Sequence, residues 1–145
     1  TAAHLLDTKL CMGSAIGVAA GLQKAGIDEP AIAIFGDSAF YHGGLNALVH
    51  ARATKLNLLT IVLDNGGAVT TGGQSTPNNT SPPFGDSGTT IGIVDLASSC
   101  GVKSVWIIED DDDTEKMSNV FREALTVETG LNMVVVQKFC KPIDE

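Results

Sequence analysis

Two short polar stretches follow apolar runs and carry hard oxygen donors: Gly36-Asp37-Ser38 and Asp64-Asn65-Gly66-Gly67. Asp37 and Asn65 offer a carboxylate and an amide oxygen. Mg²⁺ takes such ligands, binds through few protein groups, and shares its remaining positions with phosphate and water. Gly36 allows a ligand to come close to the main chain. Ser38 and the amides beyond it lead towards a helix start, where an anion is welcome. The chemistry within reach is capture of a diphosphate through a bridging metal. Plainer readings stand beside it. Asp37 and Ser38 also suit helix caps, and Asn65 before Gly66 suits an ordinary turn.

These stretches do this together only if the fold brings them to one place. Residues 13–26 are small and apolar and end at a glycine, which predicts a tightly packed helix with a C-terminal stop. Residues 31–35 (AIAIF) and 58–63 (LLTIVL) read as buried strands, and 44–55 as the helix between them, with Leu45, Leu48 and Val49 on one side. A glycine-, threonine- and proline-rich loop covers roughly 65–90, and loops of that length are usually functional. Beyond it the pattern predicts a helix over 93–100, a strand over 103–108, a helix over 114–129 capped by Thr114, and a last strand over 132–138. Strands apolar throughout and separated by helices predict an α/β domain: a doubly wound, mainly parallel sheet with helices on both faces. Ligands of such sheets sit at the carboxyl ends of the strands, where both polar stretches fall. A right-handed crossover through a single helix makes the first two strands parallel neighbours.

The composition agrees with one such domain. The chain has 145 residues, 43% hydrophobic and 18% charged, enough for one core and unlike a disordered or coiled-coil segment. Nine basic against seventeen acidic residues leave a net charge of −8, which argues against nucleic acid or an anionic membrane as partner. No apolar run approaches a membrane span, and no signal peptide is visible. The chain opens on Thr1, and residues 1–145 are expected to be one domain of a longer protein. Cys11, Cys100 and Cys140 form no CxxC pair, so no iron–sulfur or zinc site is written here. Their sparse, odd number fits free, mostly buried thiols in a reducing, cytoplasmic setting. The run Glu109–Asp113 reads as a solvated loop leading into a helix N-terminus.

Gly36-Asp37-Ser38, twenty-five intervening residues, then Asp64-Asn65, resembles the thiamine-diphosphate motif, GDG followed some two dozen residues later by NN. Thr71-Gly72-Gly73-Gln74 resembles the TGGQ segment of the 2-oxoacid:ferredoxin oxidoreductases. Asp7-Thr8, Cys11-Met12-Gly13-Ser14-Ala15-Ile16-Gly17, Phe40-Tyr41-His42-Gly43-Gly44 and Lys138-Phe139-Cys140-Lys141-Pro142 resemble segments of the indolepyruvate branch of that group. Together the matches cover roughly residues 7–142. Ser38 replaces the third motif glycine and Asp64 the first asparagine; neither position is a metal ligand in the family. Thr70 and Gly73 stand where the indolepyruvate branch tends to carry Met and His.

The resemblance implies that this is the diphosphate domain of a two-domain site. Mg²⁺ is held by Asp37, Asn65 and the Gly67 carbonyl, and thiamine diphosphate by Gly36, Asp37, Ser38, Asn65, Gly67 and Thr71. The aminopyrimidine and its activating glutamate belong to a partner domain, so no catalytic side chain is expected here. The thiazolium carbon adds to a 2-oxoacid carbonyl (indolepyruvate-like or pyruvate-like) and CO₂ leaves. Electrons pass to iron–sulfur clusters of the parent enzyme and on to ferredoxin, and the acyl group to coenzyme A, all within an oligomeric assembly. His42 reads either as a substrate-side or cofactor-side residue or as a helix-start histidine with satisfied hydrogen bonds, and Met12 and Gly13 are expected to pack closely beneath the site. Rival readings are a non-oxidative thiamine-diphosphate-dependent decarboxylase or synthase, a phosphoacceptor signalling domain with an aspartate at a strand end, and a degenerate domain kept for assembly.

Overall fold

The computed structural model describes residues 6–78, 90–109, 113–127 and 129–138. Four parallel strands, β1 (Ala31–Gly36), β2 (Leu58–Asp64), β3 (Ser104–Ile108) and β4 (Leu131–Gln137), lie in the order β1-β2-β4-β3. The register pairs Gly36 with Leu63 and Asp64 with Gln137, so the carboxyl ends of β1, β2 and β4 finish at one level. Strand bounds agree with the sequence reading to within a residue.

Helices cover both faces, unevenly. α1 (Ala15–Lys24), α3 (Leu45–Ala53) and α4 (Ile93–Ser99) pack on one face. There Ile16, Ala19, Ala20, Leu48, Ala51, Ile93 and Ala97 meet Ala33, Phe35, Leu58, Val62, Met133 and Val135. α5 (Thr114–Thr126) lies on the other, with Met117, Val120, Phe121 and Ala124 against Leu59, Ile61, Ile108 and Val134. Strand residues alternate between the two clusters because successive side chains point to opposite faces.

The largest departure from the sequence reading is the helix after β1. It begins at Asp37, not at residue 44. α2 (Asp37–Ala39) runs through a π-helical turn (Phe40–Gly44) directly into α3. Gly43 and Gly44 both lie within this helix, and Gly44 is what lets it approach the sheet. A Cβ on Gly44 would stand 3.2 Å from the Phe35 ring. Such π turns often lie at functional sites.

Smaller corrections have local causes. The cap of α5 is Asp113, not Thr114: its Oδ1 accepts from the amides of Glu115 and Lys116, both at 3.0 Å. A carboxylate outside the first turn reaches those orphan amides from an extended backbone, whereas Thr114 is already helical. Cys11 is exposed, against the expectation of a buried thiol, while Cys100 is half-buried and burial pushes its thiol pKa up. Met12 is 85% exposed and packs beneath nothing, although Gly13 does approach Gly43. Cys140 and Asp110–Asp112 lie outside the described residues. Among the described residues no helix is long and apolar enough to cross a membrane.

α3 ends in a Schellman-type closure, with the Lys55 amide on Arg52 O and the Leu56 amide on Ala51 O. Lys55 supplies the left-handed residue at φ 55°, where glycine is usual. Lys55→Gly is therefore expected to raise stability by up to about 1 kcal/mol, read as a higher urea midpoint. An unchanged or lower midpoint would show that the lysine side chain offsets the backbone cost.

Candidate metal and diphosphate site

Asp37 leaves the sheet at the tip of β1 as the first residue of its helix, with Gly36, in extended backbone, as the N-cap. It is only 2% exposed. Neither it nor Ser38 caps the helix through a side chain, so both plainer readings fail. Asp37 Oδ1 instead accepts from the Ser38 amide at 2.7 Å. Its Oδ2 is buried and has no hydrogen-bond partner among the described residues. Burial raises the Asp37 pKa above the ordinary value. The Ser38 amide opposes that rise, the negative charge of Asp64 adds to it, and the Gly67 and Gly66 amides oppose it again. A buried carboxylate with one oxygen unspent is in want of a cation.

Asn65 and Gly67 meet it from the neighbouring tip. The outer atom of the Asn65 amide that faces this corner lies 3.3 Å from Asp37 Oδ1 and 2.6 Å from the Gly67 carbonyl. With nitrogen at that place Asn65 donates to both oxygens. With oxygen there, the Asn65 oxygen lies beside oxygens of both Asp37 and Gly67. Six-coordinate Mg²⁺ with bonds of about 2.1 Å has ligand–ligand edges of about 3.0 Å, a length these two separations bracket. The amide can thus close the corner with hydrogen bonds when empty and turn its oxygen inward for a cation. Among the described residues no three His, Cys, Asp or Glu side chains converge. The donor set is mixed: one carboxylate, one amide, one carbonyl. The residues expected to hold Mg²⁺ are therefore adjacent and chemically suited to it, with Gly36 and the half-buried Ser38 at the helix start beside them.

Gly67 takes its place because it lacks a side chain: a Cβ there would stand 3.1 Å from the Gln74 carbonyl. That contact belongs to a compact turn. The Ala68 amide donates to Gln74 O at 2.9 Å, and Val69–Thr71 form one turn of 3₁₀ helix. Thr71 Oγ1 donates to Gln74 Oε1 at 2.7 Å and Gln74 Nε2 donates to Thr71 O at 2.6 Å. The TGGQ segment thus locks onto itself. Thr71 is exposed and its polar groups are spent within the turn, so it is not drawn into the corner formed by Asp37, Asn65 and Gly67. His42 is exposed as well.

Several contacts near the site carried no signal readable in sequence. Asp64 is 5% exposed. Its Oδ1 accepts from the Gly66 amide at 3.2 Å and from Asn78 Nδ2 at 2.8 Å, and its Oδ2 from Gln137 Nε2 at 3.4 Å. Tyr41, in the π turn, donates its hydroxyl to Ile91 O at 2.6 Å. Burial, then Asp64 and Asp37, push its pKa up to about 12, so it stays a neutral donor. The long separations, 14 residues from Asp64 to Asn78 and 50 from Tyr41 to Ile91, hide these pairs from any local pattern.

Fold and site define a parallel α/β domain with an oxygen-rich corner at the carboxyl ends of two adjacent strands. The chain belongs to the thiamine pyrophosphate enzyme family, as its C-terminal TPP-binding domain, whose profile matches residues 3–136. It is 36% identical to indolepyruvate oxidoreductase subunit IorA of Pyrococcus abyssi, an alignment covering 93% of this chain and 22% of that one. It is 31% identical to the Archaeoglobus fulgidus subunit of the same name over 93% of this chain and 21% of that one. The chain thus spans about a fifth of the length of these relatives. Among solved structures, 2-oxoglutarate:ferredoxin oxidoreductase from Magnetococcus marinus superposes with a TM-score of 0.78 at 21% identity, over 92% of this chain and 47% of that one. That likeness supports the doubly wound fold. The family match also removes the phosphoacceptor reading.

Proposed function

We propose that this chain is the Mg²⁺- and diphosphate-holding half of the active site of a 2-oxoacid oxidoreductase that uses thiamine diphosphate. Its substrate is an indolepyruvate-like or pyruvate-like acid, its product an acyl-CoA and its electron acceptor ferredoxin. The observation that carries the reading is the meeting of the Asn65 amide with Asp37 Oδ1 and the Gly67 carbonyl, on a buried carboxylate whose Oδ2 takes no hydrogen bond among the described residues. The IorA relatives support the oxidoreductase class and the presence of partner subunits. When bound, thiamine diphosphate supplies a nucleophilic carbon and an electron sink for decarboxylation. This chain's part is binding. Asp37, Asn65 and the Gly67 carbonyl hold Mg²⁺, whose charge offsets that of the carboxylate and the diphosphate. Gly36, Ser38 and the helix-start amides beyond it would hold the phosphate oxygens. The pyrimidine-binding domain and the iron–sulfur clusters come from elsewhere in the parent assembly.

Calorimetric titration of the full-length assembly with thiamine diphosphate, with and without Mg²⁺, tests this. Binding is expected to require the metal, because Asp37 alone would repel the diphosphate. Equal affinity in both conditions would overturn the assignment. This chain by itself is expected to show no 2-oxoacid turnover with cofactor and a viologen dye, since it holds one wall of a two-walled site.

A further inference from the structure

Asp64 sits beside the three corner residues, but its carboxylate is spent differently from that of Asp37. Both of its oxygens already accept hydrogen bonds, from the Gly66 amide, Asn78 and Gln137, whereas Asp37 keeps Oδ2 free. Its main-chain carbonyl also accepts from the Lys138 amide at 3.0 Å, fixing the tips of β2 and β4 together. Asn78 in turn accepts from Thr76 Oγ1 at 2.5 Å, and Thr76 is 3% exposed.

We propose that Asp64 is a positioning residue: with Asn78 and Thr76 it forms a clasp that closes the 65–78 segment onto the tip of β2 and aims the Asn65 amide and Gly67 carbonyl at Asp37. The proposal rests on the reading that those three groups hold Mg²⁺. Its physical basis is the acceptor count. A carboxylate serves several donors at once, here two on Oδ1 and one on Oδ2. An asparagine at 64 would use its one oxygen for Gly66 and Asn78, and Gln137 would have to turn its amide over to meet the NH₂. Aspartate accepts from all three donors as they stand, even though it places a second buried negative charge near Asp37. Groups that orient metal ligands from behind typically affect metal affinity by about 10- to 100-fold.

The test uses the full-length protein with Asn78→Asp and Asp64→Asn. Asn78→Asp sets two carboxylates against each other and opens the clasp. Asp64→Asn keeps an oxygen for the Gly66 amide and Asn78 and gives up only the acceptor for Gln137. Hydrogen exchange of the 65–78 amides is read without cofactor, and Mg²⁺-dependent thiamine diphosphate affinity by calorimetry. Asn78→Asp should speed exchange across the segment and weaken binding by about 10- to 100-fold, and Asp64→Asn should do distinctly less of both. Unchanged exchange in Asn78→Asp, or an effect of Asp64→Asn as large as that of Asn78→Asp, would overturn the clasp. Faster exchange with unchanged affinity would overturn its positioning role. If the unaltered protein fails to bind thiamine diphosphate with Mg²⁺, the metal reading itself falls, and the exchange measurement still decides whether the clasp exists.

Discussion

Asp37→Ala is expected to abolish Mg²⁺-dependent binding of thiamine diphosphate and to leave the fold intact. Asp37 is the charged member of the three-oxygen corner, and its Oδ2 has no other partner to lose. Its removal should cost more than the roughly 10- to 100-fold typical of groups that only support a ligand. The effect on stability should be small or favourable. Burial and the Asp64 charge both raise the Asp37 pKa, which means that the folded, metal-free protein disfavours the ionised form. Its hydrogen bond from the Ser38 amide offsets only part of that. A site that is costly without its ligand is a common sign of function rather than packing. Thermal unfolding of the metal-free variant at or above the unaltered midpoint, with cofactor binding lost, is the expected pair of results. Retained affinity would sink the ligand assignment. Asn65→Asp refines it: an oxygen donor remains but a negative charge is added, so metal binding should persist while the diphosphate is held more weakly.

The sheet was legible because its signal is local and strong. AIAIF and LLTIVL are continuous apolar runs, and one intervening helix constrains them to be parallel neighbours. That alone places Asp37 and Asn65 at adjacent tips. Gly67 could be placed only through the family spacing, since a carbonyl donor leaves no trace in residue type. The helix start at Asp37 was hidden because the apolar helical pattern becomes readable only from residue 44, and the need for a small residue at Gly44 depends on the Phe35 ring packed against it. The motif spacing set Asp37 apart from Asp64, but not what their oxygens meet: both are aspartates at strand ends, and the hydrogen bonds that occupy Asp64 come from Gly66, Asn78 and Gln137. Thr71 shows the converse: a motif residue whose hydroxyl the fold spends on its own turn.

Phe40→Ala should be the most damaging single change to the fold near the site. Phe40 is fully buried and opens the π turn three residues after Asp37. Its ring lies nearly parallel to that of Phe35 on β1, with centroids 6.1 Å apart, and meets Tyr41 edge-on at 5.3 Å. It therefore joins the helix start that carries Asp37 to the sheet. Truncating a buried phenylalanine costs about 3–5 kcal/mol through lost transfer energy and the cavity left behind. Whole domains are stable by only about 5–15 kcal/mol. Urea denaturation should show most of the chain's stability gone, and Phe40→Leu, which keeps much of the volume, should lose distinctly less. A loss under about 1 kcal/mol for Phe40→Ala would mean that the site closes up around the gap, and the packing argument fails. The two changes also separate stability from binding. In Phe40→Ala the remaining folded molecules still carry Asp37, Asn65 and Gly67, so saturating Mg²⁺ and thiamine diphosphate should restore part of the lost stability by mass action. In Asp37→Ala the same additions should restore nothing, because the fold is present and the ligand is not.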